Sequence, residues 1–379
     1  METNPARTGA GAPWLSLDPH DPVSSRVREA VSAVITEFID TQRVRLDLIG
    51  PELDQLVDLA ALFTGGGKRL RPAFCLWGWA AADGTGQQVP PAMVRAAASL
   101  DLLHVSALVH DDMMDSSDTR RGVPAAHRQF EKSHANNGWL GDGSSFGRSG
   151  AVLLGDLLVM WSVEMLERAG LDSDRLDVAR PLVEAMRTEV TCGQFLDVLA
   201  QHRPSSDDDG ALSAASRVVE YKSARYTVQR PLQFGAKLAG ASDELVTALA
   251  DYGSPLGRAF QYRDDVLGVF GDTAITGKPA GDDLREGKRT VLIAHAHADA
   301  DADGRRLLES LLGREDLELG EVEQLRQVIV DSGALDRVEH MIDSGLDESL
   351  AALEACPGLS ASGLEALTEL ALLCVRRDH

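Results

Sequence analysis

The sequence predicts an all-α protein, a single domain of many helices, and three observations carry that prediction. From about Ser24 onward, apolar residues recur three and four positions apart, the spacing of one helix face. Ala, Leu, Arg and Glu are common while aromatic residues make up 5% of the chain, and no segment alternates apolar with polar residues as a half-buried strand does. Proline and glycine mark the boundaries between periodic segments. A length of 379 residues permits one large domain or two, and the unbroken helical periodicity favours one, over residues 24–379.

Residues 1–23, beginning "METNPARTGAGAPWLSLDPHDP", have no basic start followed by an apolar run, so they read as a flexible polar arm and not as a signal peptide. "FTGGGKRLRP" then opens a helix after three glycines. "VPPAMVRAAASLDLLHVSALVHDD" opens on Pro90 and Pro91, and "RPLVEAMRTEVTCGQFLDVLA" on Pro181. Residues 131–149, rich in Gly, Ser and Asn, are expected to form a loop, either a lid or a plain surface insertion. The short turns "RPSSDDDG" and "ADADADGRR" are acidic and solvated. After about residue 300 the chain reads as packing helices.

A formal net charge of −22 argues against a nucleic-acid partner, because neutralising phosphates needs an excess of Lys and Arg. Any anionic ligand must therefore meet a local cluster of cations. Four widely spaced cysteines, Cys75, Cys192, Cys356 and Cys374, match no metal-binding spacing and suggest a reduced, cytoplasmic protein. No uninterrupted apolar run approaches the length of a membrane span, since even "AVLLGDLLVMW" carries Asp156.

The chemistry concentrates in "LVHDDMMDSSDTRRG", residues 108–122, where four aspartates and two arginines follow an apolar helix. At helical spacing, Asp111, Asp115 and Asp118 would share one face. Unpaired carboxylates repel, so a divalent cation between them is the natural partner, and hard oxygen ligands suit Mg²⁺ bound together with phosphates. Backward from Asp111 on that face lie Ala107, His104 and Leu100, a mostly apolar wall. A ligand with an anionic head and a hydrocarbon tail fits both parts. "FQYRDDVLGVFGD" repeats the theme with Asp264 and Asp265, which suggests two helices facing one cavity with metal between them. Lys68, Arg69 and Arg71, Arg120 and Arg121, and then Lys222, Lys278 and Lys288 supply the cations that a diphosphate requires.

The ordered series GGGKRLRP, HxxxLVHDDMMDxSxxRRG, GDLL, GQFLD, YKS, FQxRDD and TGKxxGDDLxxGK, spread over residues 45–295, resembles the trans-isoprenyl diphosphate synthases, or polyprenyl synthetase family. The resemblance implies an all-α bundle around a deep central cavity, usually a homodimer, that joins isopentenyl diphosphate to an allylic diphosphate with Mg²⁺, three ions per site. It implies that Asp111 and Asp115, supported by Asp112, bind Mg²⁺ on the allylic diphosphate, and that Asp264, with Asp265 nearby, holds a further ion. Lys68, Arg71, His104 and Arg121 would bind isopentenyl diphosphate. Arg120, Lys222, Gln261 and Lys278 would face the allylic diphosphate, with Ser223 at the bend after Lys222 and Lys288 near the closing tail.

One departure from the family pattern is Gly268, which stands where many members carry a third aspartate. Ser106 and Ala107, one turn below Asp111, are small where farnesyl-producing relatives tend to carry bulky aromatics. With Leu103 and Leu100 as a deeper floor, geranylgeranyl diphosphate is the expected product. A class I terpene cyclase shares the fold and the first aspartate motif but has no need of GGGKRLRP. A non-catalytic subunit of a heteromeric synthase would have lost some of these charged positions.

Overall fold

The protein is represented by a computed structural model that describes residues 14–83, 88–203, 208–271, 281–314 and 316–376. Helix α1 (Ser25–Asp47) is capped by Ser24, whose hydroxyl accepts from Val27 N. Its Val27, Val31, Ile35 and Ile39 recur every four residues and are buried, as the periodicity requires. Helix α2 (Asp54–Thr64) leads into the glycine turn and α3 (Leu70–Asp83). Helix α4 (Pro91–Met114) is buried along most of its length, packed by α1, α3 and α6 (Gly143–Glu167). A helix that is apolar nearly all round belongs in a core.

On the other side of the molecule, α7 (Ser173–His202) and α8 (Asp208–Val218) pack against a π-helical segment, Val219–Gln229, that continues into α9 (Arg230–Ala239). The long α10 (Asp243–Phe270) lies against this segment, and short α11 (Asp282–Glu286) follows the next turn. The C-terminal helices α12 (Val291–Asp299), α13 (Ala302–Leu311), α14 (Leu319–Asp331), α15 (Ala334–Glu354) and α16 (Ala361–Val375) pack behind it, α15 along the back of α10. Among the described residues, extended structure is limited to two antiparallel two-residue pairs, Leu15–Ser16 with Gln88–Val89 and Thr119–Arg120 with Val123–Pro124. The all-α prediction holds.

Three local expectations need correction. The described part of the N-terminal arm is not loose: Leu15 and Leu17 are buried and Trp77 Nε1 donates to Pro22 O at 3.1 Å. Residues 131–149 are mostly helical, since α5 (Ala126–Asn137) and α6 leave only a short turn between Gly138 and Asp142. Gly138 ends α5 in the left-handed conformation, and Asp142 caps α6 by accepting from Ser145 N at 2.8 Å. The glycine that looked like loop chemistry serves packing, because a side chain at Gly147 would collide with the His127 carbonyl of α5.

Pro181 does not open its helix. Asp172, nine positions earlier, does so by accepting from Asp174 N and Arg175 N at 3.1 Å, and α7 runs through Pro181. Two helices, α4 and α6, are long and apolar enough to cross a membrane by length and composition alone, a test that the core helices of globular proteins also pass. In α4 that apolarity is spent on the core, with 72% of the most apolar stretch buried.

Candidate active site

A cavity of about 630 Å³ opens between α3, α4, α7, the π-helical segment, α10 and α11. Most of the site residues expected from the sequence line it: Lys68, Arg71, His104, Ala107, Asp111, Arg120, Arg121, Lys222, Ser223, Gln261, Asp264, Asp265 and Lys288. Residues as far apart in the chain as Lys68 and Lys288 are thus brought to one space. Lys278 lies outside the described residues.

The first aspartates sit where α4 ends. Asp111 occupies its last turn and Asp115 is its C-cap, followed by Ser116 with a positive φ of 56°. Asp118 is therefore off the shared face, exposed and paired with Arg128 at 2.8 Å. Asp112 is also turned away from the metal role expected of it: it is buried and its two oxygens accept from Arg120 Nε at 2.9 and 3.0 Å. Asp197, from α7, takes the place beside the other two. Carboxylate oxygens of Asp111, Asp115 and Asp197 lie within 4.8 Å of one another, a spacing that one divalent cation could bridge.

Two lysines compensate this negative charge. Lys222 Nζ donates to Asp111 Oδ1 at 2.7 Å and Asp197 Oδ2 at 2.5 Å, and Gln194 Nε2 donates to the same Asp111 oxygen at 2.9 Å. Lys288 Nζ lies 2.8 Å from Glu286 Oε2, 3.3 Å from Asp115 Oδ2 and 3.7 Å from Asp283 Oδ1. Burial alone would raise the Asp111 carboxyl, but the ammonium groups of Lys222 and Lys288 outweigh it and hold Asp111 well below the usual range. Asp115 goes the other way. Burial, then the negative charge of Asp111, pushes its carboxyl up to about 6.

Across the cavity, Asp264 and Asp265 are on the last turns of α10. Burial pushes Asp265 well above an ordinary carboxyl, and while its Oδ1 accepts from Gln261 at 2.7 Å, its buried Oδ2 has no hydrogen-bond partner among the described residues. Such an orphaned carboxyl oxygen fits a metal ligand, directly or through water, since a bound cation would favour the ionised form that burial disfavours. The departure at Gly268 has a geometric counterpart, since a side chain there would collide with the Asp283 carboxylate, which fills that space.

The basic wall comes from two strained turns. Arg121 and Gly122, with φ of 53° and 77°, form the two-residue turn between the Thr119–Arg120 and Val123–Pro124 strands, the geometry of a tight hairpin that favours glycine at its second position. That turn aims Arg121 at the cavity. In the glycine turn, Arg69 has φ of 54° and is buried: it pairs with Asp101 and donates to Ser32 Oγ at 3.0 Å and Thr64 O at 2.6 Å. Arg69 is an anchor, and it leaves its neighbours Lys68 and Arg71 lining the cavity. Among the described residues, the non-glycine positions with positive φ are Arg69, Ser116 and Arg121, all in the turns that build this site.

The π-helical segment brings Lys222, Ser223, Tyr226 and Thr227 to the lining. Widened helical turns of this kind recur at functional sites. Arg71 stacks over the Tyr226 ring with its guanidinium carbon 4.0 Å from the centroid and donates to Thr227 Oγ1 at 2.7 Å. His104 Nδ1 shares a 2.9 Å hydrogen bond with the Tyr226 hydroxyl. Burial, reinforced by Arg71 and Arg121, keeps the His104 imidazole neutral.

Of the residues proposed to set chain length, Ala107 lines the cavity, but Ser106, Leu103 and Leu100 are buried in the core and do not. Ser106 lies about 140° around the helix from Asp111, so it cannot share the same wall. Leu108, Val190, Val218, Val219 and Leu267 form the apolar lining instead. Residue-level reading also missed Asp197, Gln194, Asp283 and Tyr226. The first three stand inside GQFLD and GDDL, so their signal was present without a role, whereas Tyr226 carried none.

A family model described as polyprenyl synthetase matches residues 54–329. The geranylgeranyl diphosphate synthase of Methanosarcina mazei is 32% identical over 299 residues, 78% of this chain and 83% of that protein. The octaprenyl diphosphate synthase of Escherichia coli is 30% identical over 369 residues, 96% of this chain and all of that protein. Among solved structures, the geranylgeranyl pyrophosphate synthase of Corynebacterium glutamicum, complexed with isoprenyl diphosphate and magnesium, superposes with a TM-score of 0.88 at 38% identity, covering 95% of this chain and 100% of that one. The chain belongs to the polyprenyl synthetase family and is a trans-prenyltransferase.

Proposed function

We propose that this enzyme condenses isopentenyl diphosphate with an allylic diphosphate to form all-trans geranylgeranyl diphosphate, with release of diphosphate. The observation that carries the reading is the division of one cavity into two aspartate clusters, a cationic wall and an apolar lining. Asp111, Asp115 and Asp197 on one side and Asp264 and Asp265 on the other would hold Mg²⁺, three ions with diphosphate bound. When bound, the metal neutralises charge on the departing diphosphate.

The chain's own residues do the rest. Lys222, Arg120 and Gln261 face the allylic diphosphate, and its C–O bond breaks with the electron pair leaving on the diphosphate. Lys68, Arg71, His104 and Arg121 hold isopentenyl diphosphate so that its double bond attacks the resulting cation. The proton then lost goes to the released diphosphate. Ser223, Lys288 and Lys278 complete the headgroup site by the family resemblance, and the apolar lining excludes water from the cation.

Ala107 supports a product longer than fifteen carbons, and the geranylgeranyl synthases among the relatives favour twenty; the octaprenyl relative is the reason the length needs a direct test. We further propose a homodimer through α6, whose Phe146, Leu153 and Met160 recur every seven residues and are 37%, 61% and 58% exposed. A second copy presenting the same stripe would bury them. A cytoplasmic location agrees with four cysteines that are all unpaired.

The deciding experiment is incubation with Mg²⁺, isopentenyl diphosphate and farnesyl diphosphate, with sizing of the product. A twenty-carbon prenyl diphosphate that disappears with chelator, and in the Asp111→Ala/Asp115→Ala variant with its helical signal intact, is expected. A cyclised hydrocarbon, or full activity in that double variant, would overturn the reading.

A further inference from the structure

Tyr226 stands in the isopentenyl wall with no role assigned to it. It is buried, 3% exposed, and its hydroxyl has a single hydrogen-bond partner among the described residues, His104 Nδ1 at 2.9 Å. A buried hydroxyl that only accepted from Nδ1–H would leave its own proton unsatisfied, which is costly. Donation to Nδ1 satisfies both groups. The proton of the neutral imidazole must then sit on the other nitrogen, Nε2, which has no protein partner among the described residues, while the ring lines the cavity.

The same tyrosine also organises a cation. Its ring lies under the Arg71 guanidinium at 4.0 Å, and Arg71 is fixed from the side by Thr227. One residue therefore sets both the protonation state of a neutral donor and the position of a charged one. Without the hydroxyl, His104 could carry its proton on Nδ1 and turn a lone pair toward an anion, which would repel it.

We propose that Tyr226 is a positioning residue for the diphosphate of the five-carbon substrate, fixing the His104 proton on Nε2, where it donates to a phosphate oxygen, and holding Arg71 beside it. The inference rests on the reading of this wall as the isopentenyl diphosphate site. It predicts discrimination between the two substrates. The allylic diphosphate is held from the other side by Lys222 and Arg120 and should not sense Tyr226.

The test is Tyr226→Phe, which keeps the ring under Arg71 and removes only the hydroxyl, read by steady-state kinetics and by nitrogen-15 spectra of histidine-labelled protein. The KM for isopentenyl diphosphate should rise about tenfold, the scale of one hydrogen bond to a charged group, with kcat and the allylic KM unchanged. The wild-type His104 signal, identified by its loss in His104→Gln, should show the Nε2–H tautomer, and Tyr226→Phe should lose it. Tyr226→Leu, which also removes the ring, should raise the isopentenyl KM further. An unchanged isopentenyl KM in Tyr226→Phe, equal effects on both substrates, or an Nδ1–H tautomer in the wild type would each overturn the proposal. A wild-type protein that does not turn over isopentenyl diphosphate would instead overturn the reading of the wall, with the spectra still deciding the tautomer.

Discussion

Replacing Arg69 by Met tests whether the glycine turn is held by a buried ion pair. In the native protein the guanidinium pairs with Asp101 and donates to Ser32 Oγ at 3.0 Å and Thr64 O at 2.6 Å, with Arg69 and Asp101 only 4% and 5% exposed. Removing it leaves a buried carboxylate that burial already pushes upward despite Arg69, Arg71 and Arg121 nearby. Breaking a buried pair from one side costs about 3 to 5 kcal/mol, whereas replacing both members by apolar residues is often close to neutral. Backbone strain at this positive φ is common to Arg and Met and cancels. Urea denaturation of Arg69→Met, Asp101→Leu and the double variant should give a double loss markedly smaller than the sum of the singles. The deficit of Arg69→Met should shrink in acid, where the orphaned carboxyl takes up a proton. Because the turn positions Lys68 and Arg71, the single variant should also bind isopentenyl diphosphate more weakly. Single variants that lose less than about 1 kcal/mol, or a double variant as unstable as their sum, would refute the anchor role.

Proton and metal should compete at Asp115. Its carboxyl is raised to about 6, so it is protonated below that pH and ionised above it; apparent Mg²⁺ affinity, measured calorimetrically with inorganic diphosphate present, should fall as pH drops through about 6. A flat profile across that range would exclude Asp115 as a ligand. Ala107→Phe should shorten the product, since Ala107 lines the cavity one turn from Asp111; Ser106→Phe should instead destabilise the fold, because Ser106 is only 1% exposed within the core. Chromatographic sizing of products separates the two, and an unchanged product from Ala107→Phe would remove this helix face from the tunnel.

The helical architecture was legible because its signals are local. Periodicity of four placed Val27, Val31, Ile35 and Ile39 on one face, and the aspartates and cations announced themselves by charges out of place in an acidic, largely apolar chain. What was not legible depends on contacts between distant segments. Glycine in 131–149 reads as loop until α5 is laid against α6, and Pro181 reads as a helix start until Asp172 is seen to cap the helix nine positions earlier. Asp112 and Asp118 look equivalent to Asp111 in the sequence, yet the partners Arg120 and Arg128 draw them off. Asp197 lies 86 residues beyond Asp111 and meets it only through the packing of α7.

The arrangement also explains why acidic and basic residues alternate so closely in a chain of this net charge. Bare aspartates converging on one cavity would destabilise the fold before any metal arrived. Lys222 between Asp111 and Asp197, and Lys288 beside Asp115, Asp283 and Glu286, supply counter-charge from within the chain. A cation entering this site would compete with ammonium groups already paired with its carboxylates. On the proposed reading, those same groups, displaced toward the cavity, would be available to a diphosphate, so the residues that stabilise the site before substrate binds would become donors afterwards. A carboxylate cluster without the lysines would bind metal more tightly and leave the diphosphate less well held.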